Sequence, residues 1–554
     1  MKIFGTIDPS SFPMAWDISN DSWVYGAWVG ARSFYKGLLK YGSFDEYHLF
    51  VDSRRSEDII KRNLLTLNID LDKIKIVNMK ELGKYLSKTD YTVFFTCSSD
   101  ISKLVYLRSK YAKKYFPICG IVFESISYHF KLNQDFFNNF TARVYPFDSI
   151  ICTSHSVLKV VEQYNRILGT YFLKNFSSEI HYTGRLDLLP FGIDAGSYNI
   201  SDKLKARREL GIDKNKIVIL YFGRFSLYDK ADLYPLLVAL KEIIRKKGNI
   251  ILLLAGTDVQ HKYGQKLKRV AAEMGLAQNT KFIFRNFLDK KYLLYEAADI
   301  FVSPSDNIQE SFGITVLEAM AAGLATIVSD WDGHKDTVIH NQTGFRVPSY
   351  WLDCNIQDLL PVCPVHPQGP WVLDHLYLAQ SLCIDVGKLA EYLSILVRNK
   401  ALRLRFGRNA RNNALNIYDW KILIPAYEKL WVKLYELANA VRIAKKPSWH
   451  PGRRYFESFH HYPTRVLDGR IRLTMSKNGL LFLKLKKLPF KIPEELQEVI
   501  SLPVIYIILL FLFDNKNATI DQLVKYANDI SHAELSLAKF HIMWLLKKDL
   551  IRLL

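Results

Sequence analysis

Short apolar runs alternate with stretches of helical period twice along this chain, and that alternation constrains the fold more than any other feature. In the first 200 residues KIFGTI, YHLFVD, KIKIVN, YTVFFTC, FPICGIVFES and SIICTS read as strands, with helices such as ARSFYKGLLKYG and SVLKVVEQYNRIL between them. The rhythm pauses at LLPFGIDAGSY (188–198), passes a polar helix, SDKLKARRELG, and restarts. KIVILYFGRF, NIILLLAGTD, TKFIFRNF, IFVSPS, ATIVSD and GFRVPS are the second set of strands, separated by PLLVALKEIIRKKG, QKLKRVAAEMG, YLLYEAAD and TVLEAMAAG. Strands this uniformly apolar need cover on both faces, which a parallel sheet between helices provides. The expected fold class is α/β: two tandem Rossmann-like, doubly wound domains, residues 1–195 and 196–437. Their ligand crevice would lie at the carboxyl ends of the strands.

Residues 351–383 break the rhythm with a proline-rich stretch, WLDCNIQDLLPVCPVHPQGPWVLDH, that reads as an inserted loop. Regular helices resume with VGKLAEYLSILVRN, and the last of them, IPAYEKLWVKLYELA, is placed to cross back onto the first domain. Residues 438–554 read as a small, mainly helical, winged-helix-like accessory domain. It has a hairpin in RIRLTMSKNGLLFLKL, an apolar helix, and then TIDQLVKYAND and HAELSLAKFHIMWLLKKDL. The apolar run LPVIYIILLFLF (502–513) is shorter than the roughly 20 residues a membrane span needs, and reads as a buried helix.

A hydrophobic content of 49% with 23% charged residues is that of a globular chain. The net charge of +20 is spread along the sequence, and suits an anionic small molecule, an anionic lipid surface or a nucleic acid alike. The C-terminal helices carry few cations among many apolar residues, which argues against a nucleic-acid reader and for a module that docks a protein or peptide. Six cysteines without a CxxC pair read as the reduced thiols of a cytosolic protein. The start, MKIFGTID, is not expected to be a signal peptide.

The chemistry concentrates in ESFGITVLEAMAAG, residues 310–323. Gly313 precedes a helix whose first turn is Ile314–Leu317, so Glu310 lies in the loop and Glu318 on the helix. A helix start offers backbone N–H groups to a phosphate. Carboxylates on either side of an anion site repel phosphate but accept hydrogen bonds from sugar hydroxyls, and the pattern hydroxyl–diphosphate–hydroxyl describes a nucleotide-sugar. A solvated loop acid and an ordinary first-turn glutamate are the alternative readings of the same pair. Earlier in this domain, Gly223 permits a sharp turn after a strand, and Arg224 and Lys230 in that loop are spaced to converge on one diphosphate.

Taken in order, GRF…DKADLYPLL, LLLAGTD, YEAADIFVSPSDNIQESFGITVLEAMAAGLATIVSDWDG and TGFRV resemble the retaining glycosyltransferases of family four, which have the GT-B fold. The resemblance covers about residues 1–437 and is strongest over 217–347. LLPFGID resembles the family's hinge-proximal P-N-G-V-D segment, with Phe191 where asparagine is usual. The resemblance implies that Glu310 binds the donor sugar's hydroxyls and Glu318 the ribose. Arg224 and Lys230 would stabilise the leaving diphosphate, with Gly223 and the backbone of Gly313, Ile314, Thr315 and Val316 lining the donor. It implies a glycine-bearing loop near the phosphates at Gly26 and Gly30, and a histidine facing the sugar at His129.

The implied activity is transfer of a hexose (EC 2.4) from a nucleotide-diphospho-sugar to a hydroxyl of a glycan, a lipid-linked sugar or a peptide. The family is usually described as using front-face attack; a covalent intermediate on Glu310 is the other route to retention. Two DxD triplets, Asp70-Leu-Asp72 and Asp330-Trp-Asp332, are of the type that holds a metal–diphosphate in another glycosyltransferase fold. With two cations for the diphosphate the expectation here is no metal and no other cofactor. The expected location is the cytoplasm, with peripheral contact at the inner membrane face left open. The alternative function is a non-catalytic nucleotide-sugar-binding or regulatory protein that acts through its C-terminal module.

Overall fold

The structure, a computed structural model, describes residues 1–11, 26–66, 71–122, 135–198, 202–246, 249–258, 262–285, 287–352 and 371–441, together with 456, 460–488, 490–493, 496, 499–531 and 535–554. The chain forms two compact units, Met1–Ser448 and Trp449–Leu554.

The first unit contains two parallel sheets. One is built from β1 (Ile3–Thr6), β2 (Glu46–Val51), β3 (Ile74–Asn78), β4 (Val93–Thr96), β5 (Ile118–Ile121), β6 (Ser149–Cys152) and β7 (Arg185–Leu188), in the order β3-β2-β1-β4-β5-β6-β7. The other uses β8 (Ile217–Phe222), β9 (Ile250–Ala255), β10 (Thr280–Ile283), β11 (Ile300–Ser303), β12 (Ala325–Ser329) and β13 (Gly344–Val347), in the order β10-β9-β8-β11-β12-β13. Every residue of β4, β5, β6, β9, β11 and β12 is buried, in keeping with their mainly apolar composition. The strand order reverses between β1 and β4 and again between β8 and β11. Loops leaving neighbouring strands diverge at such points and open a crevice. β7 is absent from the sequence reading because its alternating RLDL carries two charges, and none of its residues is fully buried.

The helix Trp420–Ala440 ties the second sheet back to the first. Its aromatic stripe, Trp420, Tyr427 and Trp431, is buried. Trp420 and Tyr427 each lie 5.6 Å from the ring of Phe34, and Trp431 lies 5.7 Å from Phe4 and 5.6 Å from Phe95. Trp420 Nε1 donates to Ser33 Oγ at 2.9 Å. Gly37 faces the same indole closely enough that a Cβ there would stand 2.5 Å from it. Phe191 is buried 4.8 Å from Trp420 and 6.3 Å from Phe312. It wedges between the returning helix and the loop that follows Glu310.

Two expectations need correction. The proline-rich stretch is not simply a loop. β14 (Ser349–Trp351) pairs antiparallel with β15 (Leu382–Ile384), and Trp371–Gln380 is helical; residues 353–370 lie outside the described part. The hairpin expected in RIRLTMSKNGLLFLKL is a strand followed by a helix. β16 (Arg472–Met475) ends at Ser476, whose hydroxyl accepts from Gly479 N at 3.0 Å and caps the helix Lys477–Leu485. β16 pairs instead with β17 (Asn517–Thr519) and β18 (Ile551–Leu553), partners too distant in sequence for a local pattern to reveal. These three antiparallel strands pack in the second unit with the helices Leu502–Asn515, Ile520–Ser531 and Leu535–Lys547 around Leu473, Ile508, Leu523 and Leu545. Among the described residues no helix is long and apolar enough to cross a membrane.

Trp431→Ala removes a fully buried indole from this aromatic stripe. It is expected to destabilise the first unit by about 3–5 kcal/mol, read as a lower denaturation midpoint.

Candidate active site

The site is built where β8 and β11 part. After β8 the backbone of Gly223 lies against Gly256, at the end of β9, where a Cβ would overlap the Gly223 carbonyl. Gly223 N donates to Ala255 O at 3.0 Å and Phe225 N to Thr257 O at 2.9 Å, so the start of this loop is held by the neighbouring strand. Arg224 then pairs with Asp229 at 3.0 Å. Lys230 Nζ donates to both oxygens of Glu310, at 2.8 and 3.1 Å, and Asn307 Nδ2 holds the Lys230 carbonyl at 2.7 Å. Burial works to raise the Glu310 carboxyl, but Lys230, His334 and Arg224 outweigh it and hold the group below its ordinary range. Asp229 is likewise held low: burial raises it, and Arg224 leads the groups that lower it.

Gly313 turns the chain at φ +80° into the helix Ile314–Ala321, and no side chain caps that start. Of the backbone donors proposed for a ligand, Val316 N is spent inside the turn, on Gly313 O at 3.0 Å; Ile314 and Thr315 are half-buried beside it. Glu318 is 4% exposed, one turn further on. It is ion-paired to Lys291 and accepts from Tyr295 Oη at 2.9 Å. Neither partner was singled out from the sequence. Both lie in the segment KKYLLYEAAD, whose Lys and Tyr fall one helical turn apart on the face turned to Glu318.

The loop after β12 completes the cluster. Asp332 adopts φ +43°, and Gly333 N donates to Glu310 O at 3.2 Å. A Cβ on Gly333 would overlap the Ser311 carbonyl, so only glycine lets the two loops approach this closely. Burial, helped by the Glu310 charge, pushes the Asp332 carboxyl up to about 7. The same loop reaches the first sheet's domain. Ser156 Oγ donates to Asp332 O at 3.1 Å, and His155 N donates to Asp336 at 2.6 Å at the start of the helix His155–Phe176. Of the two DxD triplets, Asp330 and Asp332 therefore border the crevice. Asp72 lies in the turn Leu71–Lys73 at the opposite, amino end of β3, and Asp70 is outside the described residues.

Gly26 and Gly30 do not sit in a loop. Both belong to the helix Gly26–Tyr41, Gly26 exposed as its first residue and Gly30 buried one turn on. The recurrence of Ala31, Phe34, Tyr35 and Leu38 on one buried face carries helical periodicity through these glycines. His129 lies outside the described residues. The structure thus brings together Gly223, Arg224, Lys230, Glu310, Gly313 and Glu318. It adds Asp229, Lys291, Tyr295 and His334.

Residues 202–358 match the family model described as Glycosyl transferases group 1. The chain is 29% identical over 167 residues to the D-inositol 3-phosphate glycosyltransferase of Segniliparus rotundus, covering 30% of this chain and 36% of that one. It is 29% identical over 185 residues to the lipopolysaccharide 1,2-N-acetylglucosaminetransferase of Salmonella typhimurium, covering 33% and 48%. The match spans less than half the length of either relative. Among solved structures, HepE of Anabaena in complex with UDP and glucose superposes with a TM-score of 0.50 at 16% identity, covering 77% of this chain and 98% of that one. Sucrose-phosphate synthase of Thermosynechococcus elongatus superposes with a TM-score of 0.51 at 17% identity, covering 79% and 100%. The fold is GT-B: two Rossmann-like domains, with an extra, mainly helical C-terminal region.

Besides Asp332, a second buried acid adds to the site's pH signature. Burial raises Asp306, whose carboxylate accepts from Asp232 N at 2.9 Å, from 3.8 to about 7. A raised carboxyl favours folding below its unfolded pKa, and that contribution is lost as pH rises through the folded value. Asp306→Asn is therefore expected to leave the melting midpoint unchanged near pH 4. Above pH 7 it should raise the midpoint, with a ceiling of about 4 kcal/mol. Thermal melts of both proteins from pH 4 to 8 check this.

Proposed function

We propose that this protein is a retaining glycosyltransferase that moves a hexose from a nucleotide-diphospho-sugar to a hydroxyl acceptor. The observation that carries the reading is the cluster at the β8/β11 switch point. There Arg224 and Lys230 share one loop, and Glu310 and Glu318 flank the helix start at Gly313. The family match over residues 202–358 and the names of the relatives support it, and HepE of Anabaena holds UDP and glucose in the same fold.

The donor's diphosphate competes with two carboxylates for two cations. Arg224 exchanges Asp229, and Lys230 exchanges Glu310, for phosphate oxygens that gain charge as the bond to the sugar breaks. Glu310, freed of Lys230, accepts hydroxyls of the sugar, and Glu318 accepts those of the ribose beside Lys291. The acceptor oxygen bonds to the anomeric carbon on the face the diphosphate leaves, and its proton passes to the departing phosphate oxygen. Positive charge on the diphosphate comes from side chains, so no metal is required. His129 faces the sugar in this scheme. The acceptor is a glycan, a lipid-linked sugar or a peptide, with residues 438–554 docking it or a protein partner.

Calorimetry against UDP-, GDP- and ADP-sugars, with and without EDTA, tests the reading. One nucleotide class is expected to bind regardless of chelator, and Glu318→Ala should weaken it. Arg224→Ala and Lys230→Ala should each lower turnover by about 10²–10³, and proton NMR of the product should show the donor's anomeric configuration. A folded wild type that binds no member of the panel overturns the proposal.

A further inference from the structure

His334 stands beside Glu310 but has no part in the scheme above. Its side chain is fully buried. Nδ1 lies 3.2 Å from Ser329 Oγ and is hydrogen-bonded to the Ser329 backbone. Nε2 has no hydrogen-bond partner among the described residues. That edge of the ring is turned to Gly313, where a Cβ would stand 3.0 Å from Nε2 and 2.9 Å from Cδ2. A buried polar nitrogen without a partner is costly to keep, and its presence beside a ligand-binding loop calls for a ligand atom.

The ring's charge state decides which atom. Burial pushes the imidazole down to about 4 against the pull of Glu310, so the ring is neutral at pH 7. With the Nδ1 proton given to the Ser329 carbonyl, Nε2 carries only a lone pair. A lone pair repels phosphate oxygen and welcomes a hydroxyl. Lys230 covers Glu310, and acts on His334 as well. When the diphosphate draws Lys230 away, the two neighbouring acceptors are uncovered together.

We infer that His334 Nε2 accepts a hydrogen bond from one hydroxyl of the donor sugar, next to the hydroxyls held by Glu310, and so helps determine which sugar is bound. This rests on the donor-site reading above. Two fixed acceptors on one side of the ring discriminate between epimers, because an inverted hydroxyl leaves one of them unpaired.

The test measures binding of UDP-glucose, GDP-mannose and their monodeoxy analogues against UDP and GDP alone, for wild type and His334→Phe. The affinity gained from the sugar is expected to fall roughly tenfold in the variant, with nucleoside diphosphate affinity unchanged. One deoxy analogue should cost the wild type that same factor and the variant nothing, a non-additivity that general damage to the fold would not produce. A variant that keeps the full sugar increment, or loses as much as wild type with every deoxy analogue, overturns the inference and leaves the donor site standing. A wild type that binds no UDP-, GDP- or ADP-sugar overturns the donor site, and the inference with it. If His334→Phe fails to fold, 15N-histidine NMR of the wild type decides. The Nε2 resonance should move with the sugar nucleotide and not with the nucleoside diphosphate, and an unmoved resonance overturns the inference.

Discussion

The geometry of the crevice depends on one aromatic chain of contacts that starts in the returning helix. Trp420 is clamped against Phe34 of the first domain and touches Phe191 at the connection between sheets; Phe191 touches Phe312, two residues after Glu310. The backbone follows the same line. Ile193 N donates to Tyr418 O at 2.9 Å, and Trp420 N to Ile193 O at 3.0 Å. Packed rings of this size resist small displacements because each shift opens a void or a clash. A continuous rigid path therefore joins the first domain's core to the residue before Gly313.

On that frame the charges are arranged in pairs. Arg224 has Asp229, Lys230 has Glu310 and Lys291 has Glu318, all partly or wholly removed from water. Desolvated charges are tolerated only when compensated, so each cation needs a carboxylate to be held in the crevice at all. In the proposed reaction the pairing has a chemical use as well. A cation bound to a carboxylate is already stripped of much of its water, and moving it to a phosphate oxygen exchanges one charge-assisted bond for another.

Much of this was legible in the residues. The short, mainly apolar runs mark twelve of the strands in the two parallel sheets, because strands covered on both faces carry few polar side chains. RLDL escaped because Arg185 and Asp187 interrupt its short apolar pattern. The turn at Gly313 and the placement of Glu310 and Glu318 followed from the order loop, glycine, helix. Lys291 and Tyr295 did not, because their spacing marks one helix face but not the carboxylate that this face meets on a separate helix. His334 was invisible for the same reason. An isolated histidine in WDGHKD acquires meaning only once Ser329 and Gly313 enclose its ring. The false hairpin near residue 476 arose from SKNG, which reads as a turn between strands and is in fact a serine-capped helix start.

The segment 330–336, which leads into the short helix His334–Thr337, has two attachments at once. It donates from Gly333 N to the Glu310 carbonyl, and it receives hydrogen bonds from Ser156 and His155 at the head of a first-domain helix. The same short segment is thus both a wall of the Glu310 cluster and a latch between the domains. Swinging the first domain away along this edge must either break the latch or pull on the pocket wall. Access to the crevice and the shape of its innermost part are mechanically one variable, so a molecule that props the domains apart would deform the Glu310 cluster without touching it.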